Sequence, residues 1–137
     1  MSDLKLIAEL YCTDIDATKK FYTEVFGFEI KYERVEEKFA RFTLDGVDIM
    51  VECIASEGRR WITGEMQKPL GRGVNFQWDV ADLEKLYSRI QQKAPESIYL
   101  EMETMSYRCG NEVHIQNQFI AQDPDGYLFR FCSSGKQ

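Results

Sequence analysis

From Lys5 to Cys12 the chain alternates. Leu6, Ala8 and Leu10 fall on one side and Lys5, Ile7, Glu9 and Tyr11 on the other, which predicts a strand. Asp14 then stands where a helix N-cap is needed, and Ala17, Phe21, Tyr22 and Val25 follow at helical spacing until Gly27 stops the run. Phe28–Arg34, Phe39–Leu44 and Val47–Cys53 read as three further strands, the last two joined by a tight turn at Asp45-Gly46. Residues 56–73 hold four of the nine glycines and no strong period, so they read as a connector, with a helical turn expected around Trp61–Met66.

After the connector the same order returns. Val74–Val80 alternates, with Val74, Phe76, Trp78 and Val80 toward a helix and Asn75, Gln77 and Asp79 on the opposite side. Asp82 caps a second helix that runs to about Lys93, where Ala94-Pro95 breaks it. Ile98–Met105, His114–Gln122 and Tyr127–Cys132 are the remaining strands, and the tail Ser133–Gln137 reads as loose. Asp14 maps onto Asp82 at a shift of 68, and Asp45-Gly46 onto Asp125-Gly126 at a shift of 80. The second copy therefore carries twelve extra residues, placed between Ser106 and Gln118. This predicts an α+β fold of two βαβββ modules in a single domain over 1–137: module one about 4–55, connector 56–73, module two about 74–132.

Charge narrows the partners. The 17 Lys and Arg against 23 Asp and Glu give a net charge of −6, which argues against a nucleic-acid-binding face and suits a cationic small molecule. No apolar run is long enough for a membrane span, and MSDLKLIAEL lacks the features of a secretory signal, so a cytoplasmic protein without a membrane partner is expected. Cys12, Cys53, Cys109 and Cys132 form no CxxC pair and read as free thiols in a reducing compartment. The single histidine, His114, leaves no spare imidazole for a Ser/His/Asp or Cys/His arrangement and reads as an ordinary strand or loop residue.

Three runs carry a family resemblance. Leu10-Tyr11-Cys12-Thr13-Asp14-Ile15, with Phe21-Tyr22 and Phe26-Gly27-Phe28, resembles the opening of the glyoxalase, bleomycin-resistance and extradiol-dioxygenase superfamily. Val80–Tyr87 resembles its second-module helix start, and Asp123–Phe131 its last hairpin and strand. The resemblance implies curled sheets that form a cupped groove with helices packed behind. It also implies up to four groove positions that hold a divalent metal in the enzymes of the group, usually through His and Glu. In this sequence those positions fall on Ile7, Met50, Asn75 and Arg130. An isoleucine has no lone pair and a guanidinium only donates, so no metal or other cofactor is expected there. A slip of two would bring Glu52 into the Met50 position, which still leaves too few ligands.

The chain is similar in detail to the metal-free bleomycin-resistance branch, whose members are homodimers that bind glycopeptide drugs in grooves at the subunit interface. The implied function is metal-independent sequestration of a bleomycin-like or other bulky cationic-aromatic compound, conferring antibiotic resistance, with no catalytic residues. The alternative is a glyoxalase- or dioxygenase-type enzyme whose divalent metal has atypical ligands. Candidate ligand-binding residues are Phe39, Trp61 and Tyr107 for stacking and Glu52 for a cation. Asn75, Gln77 and Gln118 would hydrogen-bond amides, and Met50 and Arg130 would line the former metal positions. Arg130 is further expected to pair with Glu52 across the groove. Phe39 reads equally as core and Trp61 as the cover of a subunit contact. Tyr107 reads also as a surface aromatic, and Asp48 as a solvated strand-edge residue.

Overall fold

The computed structural model describes residues 5–56 and 59–134. In the first module β1 (Ala8–Cys12) leads into α1 (Ile15–Glu24), followed by β2 (Glu29–Arg34), β3 (Phe39–Leu44) and β4 (Val47–Cys53). The second module repeats the order with β5 (Asn75–Asp79), α2 (Leu83–Lys93), β6 (Ile98–Cys109), β7 (Glu112–Gln122) and β8 (Leu128–Ser134). Each module forms a four-stranded mixed sheet, ordered β1-β4-β3-β2 and β5-β8-β7-β6. In both, the first strand runs parallel to the last, because the helix carries the chain across the sheet before the antiparallel strands fold back.

Local chemistry sets the ends of these elements. The Asp14 and Asp82 carboxylates accept the backbone N–H groups of Ala17 and Lys85, each at 3.1 Å, so both helices start on a side-chain cap. Past α1, Gly27 sits at φ +81° and the Phe28 N–H returns to the Tyr22 carbonyl at 2.9 Å, a left-handed stop. Asp45 and Gly46, at φ +52° and +81°, make the two-residue turn between β3 and β4.

The backs of the two sheets share one core. Tyr22 of α1 packs on Phe42 of the first sheet and on Phe129 of the second, Phe26 just past α1 also meets Phe129, and the Phe26 and Phe131 rings lie 5.2 Å apart. Phe28 meets Trp78 at 5.0 Å, and the Trp78 indole N–H donates to the Leu44 carbonyl. The junction is polar at one edge. The Tyr22 hydroxyl donates to Asp123 at 2.7 Å, Thr13 donates to Asp125, and the Tyr127 hydroxyl donates to the Tyr11 carbonyl. Burial pushes the Asp123 pKa up to about 6, helped by the Asp125 carboxylate and opposed by the Tyr22 hydroxyl and backbone N–H groups.

Several local expectations need correction. Residues 59–72 contain no helical turn around Trp61–Met66; this stretch is irregular and meets β1 where the Trp61 N–H donates to the Tyr11 hydroxyl. Val74 precedes the strand and is 50% exposed instead of facing a helix. The extra residues of module two lengthen its middle hairpin, and β6 and β7 stay paired out to Cys109 and Glu112. Ser133 and Ser134 belong to β8, paired with Asn117 and Gln116, and so are not part of a loose tail; 135–137 lie outside the described residues.

Candidate functional site

Alternation gives each sheet a second face, away from the shared core. On the first sheet this front carries Glu9 and Tyr11 from β1, Asp48, Met50 and Glu52 from β4, and Phe39 and Arg41 from β3. Their phase is opposite to the buried Leu10, Ile49, Val51 and Phe42. On the second sheet the front carries Asn75 and Gln77 from β5, Leu128 and Arg130 from β8, and Gln116 and Gln118 from β7, opposite Phe119, Phe129 and Phe131.

The first front settles most of its charges within itself. Asp48 is 5% exposed and receives Lys31 at 2.8 Å and Arg41 at 2.7 Å, so it is a buried ion-pair centre and not a solvated edge residue. Burial alone would raise its pKa, but hydrogen bonds from Lys31, Thr43 and Arg41 outweigh burial and hold it below the usual carboxylate value. The Arg34 guanidinium lies 4.1 Å from the Phe39 ring centroid and pairs with Glu37, so Phe39 is already covered by a cation. Glu52 is the ladder partner of both Phe39 and Tyr11, and it accepts the Ser56 hydroxyl at 2.6 Å. Glu9 stands opposite Met50, and its pKa is raised by burial and by the nearby Glu52 carboxylate against a smaller pull from Arg34. Two carboxylates beside an aromatic cluster thus form the acidic part of this face.

The second front runs on amides. The Arg130 Nε donates to Asn75 Oδ1 at 3.3 Å and its Nη1 to Gln118 Oε1 at 3.4 Å. Gln118, 4% exposed, also accepts from Gln116 and donates its Nε2 to Glu103 at 2.8 Å. Gln77 is the ladder partner of Arg130.

The structure therefore brings Asn75, Gln77, Gln118 and Arg130 together on one front, and Phe39, Met50 and Glu52 on the other. The Arg130–Glu52 pair expected from the sequence does not form; Arg130 turns to neutral amides and Glu52 to a serine. Trp61 sits on the connector, 66% exposed, with the Arg59 guanidinium 4.5 Å from its ring centroid. Tyr107 lies opposite His114 on the hairpin arm, four residues beyond Glu103 along β6. Glu103 and Gln116 complete the amide network without having been expected there. Strict alternation from Leu100 would put Glu103 on the opposite face; the register shift between the two brings it here.

A family model described as glyoxalase/bleomycin resistance protein/dioxygenase superfamily matches residues 6–131. The chain belongs to that superfamily. A solved superfamily member from Vibrio splendidus 12B01 is 49% identical, over 93% of this chain and 95% of its own, with a TM-score of 0.45. TioX from Micromonospora sp. ML1 is 16% identical over 95% of this chain and 98% of its own, with a TM-score of 0.66. A virulence protein from Salmonella typhimurium is also 16% identical, over 98% and 99%, with a TM-score of 0.68. These last two likenesses concern the fold. No curated protein matches the chain in sequence.

Superfamily enzymes hold a metal at positions that fall here on Ile7, Met50, Asn75 and Arg130, and these residues do not fit one. The Asn75 oxygen already accepts from Arg130, whose charge opposes a cation, and Ile7 offers no donor atom. Among the described residues no three His, Cys, Asp or Glu side chains converge. Also among them, no helix is long and apolar enough to cross a membrane.

Proposed function

We propose that this chain is a metal-independent binding protein of the bleomycin-resistance branch, which sequesters a bulky cationic-aromatic compound of the bleomycin type in the cytoplasm. The observation that carries this reading is the set around Glu52: a carboxylate next to Phe39 and Tyr11 in the ladder, with Glu9 close enough to raise its own pKa. A cationic ligand relieves the repulsion between the two carboxylates, and the exposed Trp61, whose backbone N–H donates to the Tyr11 hydroxyl, offers its aromatic part a partner at the edge of this face. Capture alone protects, since a bound drug is withdrawn from the free pool without any bond being broken.

The reading also calls for a homodimer. The hydrogen bonds and ring contacts described above between the modules come from the sheet backs, helices and strand ends. A second copy supplies a facing wall for each front. Titration with bleomycin, followed through Trp61 fluorescence and calorimetry, tests the proposal. Trp78 is a poor reporter because it is 3% exposed and faces the core. The expected result is saturable binding that Glu52→Gln weakens by about tenfold. Absence of saturation, or a stoichiometric tightly held metal in the purified protein, would overturn it.

A further inference from the structure

We propose that the front of the second sheet binds the carboxylate of a small molecule with an apolar body, with Arg130 and Asn75 as its donors. The Asn75 oxygen is turned toward Arg130 Nε at 3.3 Å, so its NH₂ group faces the other way. The Gln118 oxygen receives both Arg130 Nη1 and Gln116 Nε2, and the Gln118 NH₂ is directed to Glu103. The Asn75 and Gln118 oxygens are thus engaged by N–H groups, and the Asn75 amide N–H pair and the second terminal nitrogen of the guanidinium are donors that these bonds do not use. Neutral amide oxygens fix the orientation of the guanidinium without cancelling its charge. A planar, oriented, positively charged fork beside an amide N–H pair is complementary to a carboxylate.

The space beside this fork fits such a ligand. A cavity of about 380 Å³ is lined by Asn75, Leu128, Val74, Tyr99, Leu70 and Arg72 among others. Asn75 and Leu128 form part of its wall; Arg130, two residues past Leu128 on the same side of β8, lies outside that lining and borders it through its bond to Asn75. Arg72 brings a second positive charge to the cleft, with its Nε and Nη2 held on the Pro69 and Lys68 carbonyls. The volume falls in the range of small-ligand sites. The inference rests on the reading above only in treating this front as a ligand wall, and it adds an anionic group to the chemistry that wall selects.

The test is a calorimetric and amide-NMR titration of the full chain with phenylacetate, its neutral isostere phenylacetamide, and inorganic phosphate. The expected result is saturable phenylacetate binding with shifts at Asn75 and Leu128, and binding of the amide weaker by about tenfold or more. Arg130→Gln should lose about as much as removing the ligand charge, and Arg130→Lys should fall between, because it keeps the charge and loses the fork. Far-UV circular dichroism and the NMR spectrum of each variant establish that it is folded. Equal binding of acid and amide, an unchanged affinity in folded Arg130→Gln, no saturation with phenylacetate, or phosphate binding as tightly would each overturn the proposal. Bleomycin binding without phenylacetate binding removes this inference and leaves the sequestration reading; the converse removes the sequestration reading and leaves this one.

Discussion

The two sheets have the same strand order and opposite habits on their fronts. On the first, charge meets charge: Asp48 gathers Lys31 and Arg41, Arg34 holds Glu37, and Glu9 and Glu52 are left as neighbouring acids. On the second, Arg130 and Glu103 are both tied to Gln118, with Asn75 and Gln116 as further amide partners, so the guanidinium is oriented by neutral oxygens and not by a direct ion pair. Ion pairing inside a face adds to stability and withdraws charge from ligands, whereas amide tethering does little for stability and leaves the charge available. The backs differ far less, because both contribute phenylalanines to one core. A duplicated topology has kept its packing common and divided its recognition chemistry.

The shared back is the strongest part of this contrast. Phe129 is fully buried and touches Tyr22, Phe26, Phe28 and Trp78 from both modules. Phe129→Ala should cost about 3–5 kcal/mol in denaturant unfolding, and the loss should appear as one transition, not as separate melting of one sheet. Two resolved transitions would mean that the modules stand independently.

The next effect separates the fronts. Asp48→Ala leaves Lys31 and Arg41 crowded without their carboxylate and should destabilise by about 1–3 kcal/mol, while Arg130→Gln should cost under about 0.5 kcal/mol. Equal costs in chemical denaturation would break the distinction between a paired and a tethered charge.

The junction predicts a pH effect with a definite sign. The folded-state pKa of Asp123 is raised from 3.8 to about 6, so the folded protein holds this proton more tightly than the unfolded chain. Its contribution is fully present below the unfolded value and is lost as pH rises through the folded one. Asp48, with its lowered pKa, acts in the opposite sense and loses its contribution as pH falls through its folded value. Asp123→Asn should therefore flatten the decline of stability between about pH 4 and 6, measured as unfolding midpoints across that range. An unchanged slope would remove the role assigned to this carboxyl.

The smallest effect belongs to the tryptophans. Trp61→Phe should leave stability within about 0.5 kcal/mol of the parent, whereas Trp78→Phe should shift the unfolding midpoint because its indole bonds Leu44 across the modules.

How much of this was legible in the chain depends on the range of the forces involved. Helix starts at Asp14 and Asp82, the stop at Gly27 and the Asp45-Gly46 turn are local chemistry, and each stands where the sequence places it. The phase of Asn75, Gln77 and Arg130 was readable because β5 and β8 alternate without interruption. Register shifts hid the rest. One between Ile30 and Tyr32 decides which side chains of β2 reach Phe39 and Arg41, and one before Glu103 brings that residue beside Gln118. The burial of Asp48 depends on two cations from neighbouring strands, which no single-strand pattern displays.

Equilibrium dialysis against bleomycin, with mass spectrometry of the drug released afterwards, tests the central claim most directly. Saturable retention by metal-stripped protein, with the drug recovered at its original mass, is the result this account predicts. No retention, or recovery of a chemically altered drug, would contradict it.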